Sequence, residues 1–387
     1  MTNLIFDLNN IIHRSLFIVS GYGKNSFTFD TQAEIDQLIR KIATDTAFII
    51  RLINPSRVIF AQDDSSWRKT IKIDENEGYK ANRFKSKKIN WNNVYEAVDE
   101  FTEIMENNGM LVTKISTAEA DDIISLWSRE LSLKQNQHVI IVSGDEDLRQ
   151  LVDYVPMKNI YVTVFNPFMQ GKNAFRKLYV HKFFEDWINT MDNVDFMNMK
   201  ATINIDKEDF RKIITAKKTK MEIIDGRMIG LRKIFCGDDG DNIPAFYSWL
   251  NDKNVEIRIT DSKFKKIYEK IIEHSDELIT HCDIIKRADK VLKAINSVTK
   301  QNFSLNIQDR ILRQIKLVVL DPEFFPKEII EKFEESKEIQ LDKPRVNYSN
   351  LNMYNLLEGT RYVRERKSEN EAPIFKQIDR IQGNALF

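Results

Sequence analysis

The chain has 387 residues, 42% of them hydrophobic, enough for a sizeable core and more than one domain. Its 58 basic and 58 acidic residues cancel, which argues against a uniformly basic nucleic-acid binder. The two cysteines, Cys236 and Cys282, give neither a disulfide framework nor metal-ligand spacing. No apolar run is long enough to span a membrane, and the N-terminus enters a strand without a signal-peptide layout, so the expectation is a reduced, cytoplasmic protein.

In chain order, Leu4-Ile5-Phe6 reads as a short buried strand. Residues 33–53 carry Ile35, Leu38, Ile39, Ile42, Phe48, Ile49 and Leu52 at near-helical spacing, and Asn54-Pro55 stops the helix. Val58 to Ala61 is a second strand, so the first two strands form a parallel β-α-β unit. A helix over 92–108 ends at Gly109, and a third strand spans 110–115. Ser116 or Thr117 is the expected cap of the next helix, whose apolar face is Ile123, Ile124, Trp127 and Leu131. Val139 to Val142 is a fourth strand, followed by a turn at Gly144 and a short helix. Residues 159–164 and 176–180 read as a ribbon, 181–220 as an irregular basic insertion, and 261–340 as surface helices. Residues 343–387 read as polar and partly a tail.

The acids recur at one topological place. Asp7 and Asp63-Asp64 follow strands one and two. Glu119-Ala120-Asp121-Asp122 and Asp145-Glu146-Asp147 follow strands three and four, and Asp238-Asp239-Gly240-Asp241 forms a later cluster. Ligands of an open parallel sheet bind beyond the carboxyl ends of its strands. Carboxylates crowded there repel one another unless a cation sits among them, and hard divalent ions prefer oxygen ligands. One D-x-D alone is ordinarily a solvated loop or a helix cap; four or five clusters at one edge point to metal-dependent phosphoryl transfer. Beside them lies a basic run, Arg68, Lys69, Lys72, Lys80, Arg83, Lys85, Lys87 and Lys88, suited to phosphate or to a plain solvated face.

Glu119-Ala120-Asp121-Asp122, then Val142-Ser143-Gly144-Asp145-Glu146-Asp147, then Gly237-Asp238-Asp239-Gly240-Asp241-Asn242-Ile243-Pro244 resemble the signature of the 5′ nuclease (flap endonuclease) superfamily. Trp67-Arg68-Lys69 followed by Tyr79-Lys80-Ala81-Asn82-Arg83 is similar to its phage and bacterial members, above all the phage exonucleases that remove RNA primers. The likeness covers residues 1–165 and 226–260.

That resemblance implies an α/β fold. A mostly parallel central sheet is flanked by helices, with a helix–three-turn–helix region and a C-terminal helical extension. The implied division is a nuclease core over 1–165 with an arch at 84–108, an insertion at 166–225, a duplex-binding region at 226–300, and an extension and tail over 301–387. It implies two Mg²⁺ ions, replaceable by Mn²⁺. Asp7, Asp63, Glu119 and Asp121 match the acids near the first ion. Asp145, Asp147 and Asp241 match those near the second, and Asp122 and Asp238 match further acids acting through water. Asp63 is chosen over its neighbour Asp64, which is otherwise a helix cap. Arg68, Lys80 and Arg83 match bases near the scissile phosphate, and Lys80 and Arg83, three apart, would share a helical face.

Tyr79 is either a base-stacking ring or packing, and Lys85 and Lys87, with Trp91 and Tyr95, belong to a single-strand channel or to the core. Where the family has a glycine-rich hairpin that holds a potassium ion, this chain has Ala245-Phe246-Tyr247-Ser248-Trp249, which leaves that ion open. The implied partners are DNA and RNA/DNA duplexes with 5′ flaps or ends. A sliding clamp docked by Gln382 to Phe387 and a single-strand binding protein are further ones, for a monomeric enzyme. A PIN-type ribonuclease would not need the 237–244 element, and a non-catalytic DNA-binding factor would not need to keep every matched acid.

Overall fold

The protein is described here from a computed structural model, which describes residues 1–21, 27–73, 78–83, 88–168, 175–190, 194–195, 200–201, 205–216, 218–251, 253–272, 280–303, 307–344 and 346–362. Lys85, Lys87, Lys217 and the tail 382–387 lie outside the described residues.

The first half is built on one sheet. Its strands are β1 (Thr2–Asp7), β2 (Arg57–Gln62), β3 (Leu111–Lys114), β4 (His138–Val142), β5 (Asp153–Val155), β6 (Ile160–Asn166) and β7 (Arg176–Val180). Two short strands, β8 (Val194–Asp195) and β9 (Lys200–Ala201), pair apart from it, and β10 (Thr219–Ile223) closes one edge. The order is β10-β7-β6-β4-β1-β2-β3, with β5 also on β6. Strand β1 runs parallel to both β2 and β4, with Leu4 beside Val58 and Ile140. Only the β5–β6 and β6–β7 pairings within this sheet are antiparallel among the described residues.

Alternation along the strands feeds two faces. Leu4, Phe6, Val58 and Phe60 enter one buried cluster, while Ile5, Ile59, Val139 and Ile141 enter the other. The first face is covered by α1 (Leu8–Val19), α2 (Gln32–Ile53) and α3 (Trp91–Asn107). The second is covered by α4 (Ala120–Arg129) and by a later helix over Lys327–Leu341. Helix α2 opens on a capping box between Thr31 and Glu34 and ends where Asn54 turns left-handed at φ 51° before Pro55. Most of the segment expected as an arch is α3, whose Val94, Val98, Phe101 and Met105 are buried.

The stretch read as an insertion is part of this body. Helices α5 (Phe184–Asn189) and α6 (Ile205–Thr215) pack Phe184, Trp187 and Phe210 around Tyr161 and His138, and β10 extends the sheet along β7. The expected ribbon forms, with Val164 beside Tyr179, but as an integral part of the sheet.

The second half is helical: α7 (Gly226–Cys236), α8 (Asp261–Ile272), α9 (His281–Lys286), α10 (Ala288–Thr299), α11 (Ile307–Val318), α12 (Lys327–Leu341) and α13 (Met353–Leu356). Helices α7, α8, α10 and α11 share a third apolar cluster, including Ile234, Phe264, Ile295 and Ile311. Between α7 and α8 a hairpin of β11 (Ser248–Leu250) and β12 (Glu256–Arg258) stands where glycines were expected, and Tyr247 stacks on Phe303 at 4.0 Å between ring centroids. The stretch read as tail begins as core: Tyr348, Leu356, Leu357 and Tyr362 are buried on the α2–α3 face, and the Tyr362 hydroxyl donates to Glu100 at 2.7 Å. Among the described residues no helix is long and apolar enough to cross a membrane.

Candidate metal centre and its basic turn

Each acid is positioned by the end of a local element. Asp7 closes β1 and caps α1: its carboxylate accepts from the Asn10 backbone N–H at 3.0 Å and from the Ser143 hydroxyl at 2.8 Å. The Ser143 Oγ also accepts from the Asp145 N–H at 2.9 Å, and Asp145 accepts from the Asp147 N–H at 2.9 Å. One chain of hydrogen bonds thus links the end of β1 to the turn after β4.

Asp63, after β2, accepts from the Ala120 N–H and from Asn9 Nδ2, both at 2.5 Å, so it holds the first turn of α4. The expected cap at Ser116 or Thr117 does not form. Thr117 sits at φ 70°, its N–H donates to Asp64 at 2.9 Å, and Glu119 is the residue before the helix. Asp64 is exposed and fixes this turn, so of the two neighbours Asp63 is the one beside the other acids.

The later cluster is held by an unusual bend. Asp238 and Ile243 exchange backbone hydrogen bonds at 2.8 Å each. Gly237 lies at φ 71°, where a Cβ would meet the Ile243 carbonyl oxygen at 2.4 Å and backbone atoms of 244 and 245 at 2.5 and 2.6 Å. Only glycine fits there. The bend carries Asp238 and Asp241 to the turn after β4, where Asp147, Asp238 and Asp241 have carboxylate oxygens within 4.8 Å of one another. They line an open cleft of about 600 Å³ together with Asp121 and Asp145.

The basic motif docks onto the same bend. The Lys80 N–H donates to the Asp241 carbonyl at 2.8 Å, Asn82 Nδ2 to the Asp239 carbonyl at 2.8 Å, and Asn242 Nδ2 to the Gly78 carbonyl at 3.0 Å. Residues 78–83 form a turn, with Lys80 at φ 58°, not a helix. Lys80 and Arg83 nevertheless converge: Lys80 pairs with Glu119, and Arg83 with Asp241. The side chain of Arg83 is 57% exposed, that of Lys80 17%.

Arg68 is elsewhere than expected. Its side chain is 2% exposed and pairs with Glu119 at 3.1 Å and Asp122 at 2.7 Å. A guanidinium so enclosed does not reach a phosphate; it fixes acids. Asp122 is fully buried, and its carboxylate accepts from Trp67 Nε1 at 3.0 Å, from Arg68 and from the Glu119 N–H at 3.1 Å. Tyr79 is buried, its hydroxyl 3.0 Å from Glu119 and 3.1 Å from Asp241, so it braces these two carboxylates instead of offering a ring face.

Electrostatics separate the acids. Burial pushes the Asp7 carboxyl up to about 7, against its hydrogen bonds from Asn10 and Ser143 and reinforced by Asp145 and Asp63. Burial, then Asp145 and Asp7, raises Asp121 well above the usual range. Burial also raises Asp63, and lifts Asp147 to about 6 despite Lys233. Burial acts upward on Glu119 as well, but Lys80 and Arg68 outweigh it and hold that carboxyl below the usual range. Lys233 does the same for Asp238 against its burial. Raised carboxyls packed together, all with oxygen donors, suit a hard divalent cation.

Lys233 is the site residue that sequence reasoning missed. On α7, it reaches Asp147 and lies 2.6 Å from Asp238. Its signal was its place on a helix five residues before Asp238, on the turn nearest the acids.

Residues 2–186 match the family described as the 5′-3′ exonuclease, N-terminal resolvase-like domain. No curated protein matches the chain. Among solved structures, a bacteriophage T5 protein co-crystallised with metal ions is 14% identical at a TM-score of 0.48, covering 88% of this chain and 100% of that one. A T5 flap endonuclease in a pseudo-enzyme–product complex with DNA and metal ions is 14% identical at 0.43, with the same shares covered. T5 5′-exonuclease with bound zinc is 15% identical at 0.43, again over 88% and 100%. At TM-scores below 0.5 these are distant likenesses. The matched residues 2–186 carry strands β1 to β7 and the acids from Asp7 to Asp147, so this part of the chain is similar to the N-terminal resolvase-like domain of 5′-3′ exonucleases.

Proposed function

We propose that the protein is a divalent-metal-dependent 5′ nuclease. It hydrolyses phosphodiester bonds at the 5′ ends or flaps of DNA or RNA primers in duplexes, as primer removal in phage DNA replication requires. The supporting observation is convergence: carboxylates that follow strands β3 and β4 and those of the 237–244 bend meet a basic turn in one open cleft. Asp7, Asp63, Glu119 and Asp121 would hold one ion, and Asp145, Asp147, Asp238 and Asp241 a second. Held there, two Mg²⁺ ions, or Mn²⁺, would supply activation of the attacking water and charge stabilisation at the leaving oxygen.

The chain's own residues do the positioning. Ser143 and Asn10 aim Asp7, Asn9 aims Asp63, and Arg68 with Tyr79 fixes Glu119. Lys80 and Arg83, tethered to the cleft wall yet reaching its opening, are the cations available to a phosphate oxygen as charge builds on it. Helices α7 and α8 with the β11–β12 hairpin are the proposed grip on the duplex backbone. The division into core, insertion, duplex-binding region and extension is proposed in the same sense, with the insertion now counted with the core because β10, α5 and α6 pack there.

The test is a substrate panel with Mg²⁺: a 5′-labelled flap, a nicked duplex and an RNA-primed duplex. Short 5′ products from any of the three support the reading; products only from internal single-stranded RNA would favour a PIN-type ribonuclease. A sliding clamp and a single-strand binding protein are the proposed partners of a monomer. Deleting residues 382–387 should abolish stimulation by the cognate clamp while basal cleavage stays, and equal stimulation of both forms would refute tail docking.

A further inference from the structure

Lys233 stands out among the groups the proposed reaction does not use. Its side chain is 9% exposed, it extends from α7, and its ammonium contacts both Asp147 and Asp238. Those two acids, with Asp241, are the carboxylates whose oxygens lie within 4.8 Å of one another. An ion coordinated at about 2.0–2.6 Å by those oxygens would lie within a few ångström of Nζ. A monovalent and a divalent cation that close repel strongly in a partly buried cleft. The same oxygens, moreover, cannot be saturated by both.

We propose that Lys233 is a built-in competitor for this metal position: its ammonium fills the space among Asp147, Asp238 and Asp241, and loading of a divalent ion there requires it to swing out. The inference rests on the metal-centre reading above and deepens it, because it makes the two ion positions unequal. At the first position Lys80 pairs with one carboxylate, Glu119, whereas at the second Lys233 contacts two of the three carboxylates whose oxygens lie within 4.8 Å of one another. The first position should therefore fill at low metal and the second only at higher metal, after Lys233 leaves. Arg83 on Asp241 is more exposed and on a turn, so it is free to turn outward without disturbing a helix.

The test is calorimetric titration of the full-length, metal-stripped protein with MnCl2. The wild type should show one tight and one weaker site. Lys233→Met should tighten the weaker site at least ~10-fold, since each tenfold corresponds to 1.4 kcal/mol and one lost charge repulsion exceeds that. Adding Asp147→Asn to Lys233→Met should remove the gain. Lys253→Met, an equal change in net charge at an exposed position, should leave both sites unchanged.

An unchanged or weakened site in Lys233→Met would overturn the competition while leaving the metal centre standing. Absence of divalent binding in both wild type and variant would overturn the metal centre and the competition together. A second measurement needs no variant with altered charge. In protein whose lysines carry ¹³C-dimethyl labels, assigned with Lys233→Arg, the Lys233 signal should shift at the Mg²⁺ concentration that fills the weaker site. A signal that stays fixed through saturation would overturn the proposal.

Discussion

Replacing Asp7 with asparagine should stabilise the metal-free protein, and the structure sets the size of the effect. Asp7 is 4% exposed, and burial lifts its carboxyl to about 7 from an ordinary value of 3.8. A carboxyl raised in the fold favours the neutral form there. Folding is therefore unpenalised at low pH, and a penalty accumulates as pH rises from the unfolded value towards the folded one. At about 1.4 kcal/mol per pH unit, the ionised group costs the fold about 4 kcal/mol by pH 8.

Asparagine removes that cost while keeping the size. Its Oδ1 still accepts from the Asn10 N–H, since asparagine caps a helix as well as aspartate does. The Ser143 hydroxyl must turn from donor to acceptor, at about 1 kcal/mol. The net gain is about 3 kcal/mol at pH 8, falling below about 1 kcal/mol at pH 5. Urea unfolding in excess chelator at both pH values measures it. Equal or lower stability of Asp7→Asn at pH 8, or a gain independent of pH, would refute the reasoning.

Arg68→Ala strips the counter-charge from two buried carboxylates and should cost about 3–5 kcal/mol in urea unfolding; a cost under about 1 would show that the pair is not needed. Gly237→Ala forces a Cβ into backbone atoms at 2.4–2.6 Å and should lower the melting temperature and cleavage together, whereas a normal melt would mean the bend relaxes. Lys80→Ala and Arg83→Ala should slow single-turnover cleavage far more than they weaken duplex binding, and the opposite split would assign both to general backbone contact.

The apolar patterns of β1, β2, β4 and α2 show in the sequence because period-two and near-helical spacing are local properties, and the acids after those strands follow from them. Helix α1 was missed although Leu8, Ile11, Ile12, Leu16 and Val19 carry its buried stripe, because Asn9, Asn10 and His13 break the apolar run directly after a strand. The role of Arg68 was hidden for another reason. A lone arginine in a basic run reads as surface, and its partners lie 51 and 54 residues away. The docking of the 78–83 turn onto 239–241 spans more than 150 residues, so no local pattern announces it. Lys80 and Arg83 converge through that docking instead of a shared helical face. Burial of Tyr348 and Tyr362 under a polar-looking terminal stretch is likewise a tertiary fact.

The most direct test of the account is cleavage of a 5′-labelled flap duplex under single-turnover conditions by metal-stripped protein, followed by stepwise return of Mg²⁺. The account predicts no cleavage in chelator, recovery with Mg²⁺ or Mn²⁺, and loss by orders of magnitude in Asp121→Asn and Asp145→Asn despite an intact fold. Full cleavage in excess chelator, or near-normal rates in either variant, would contradict it.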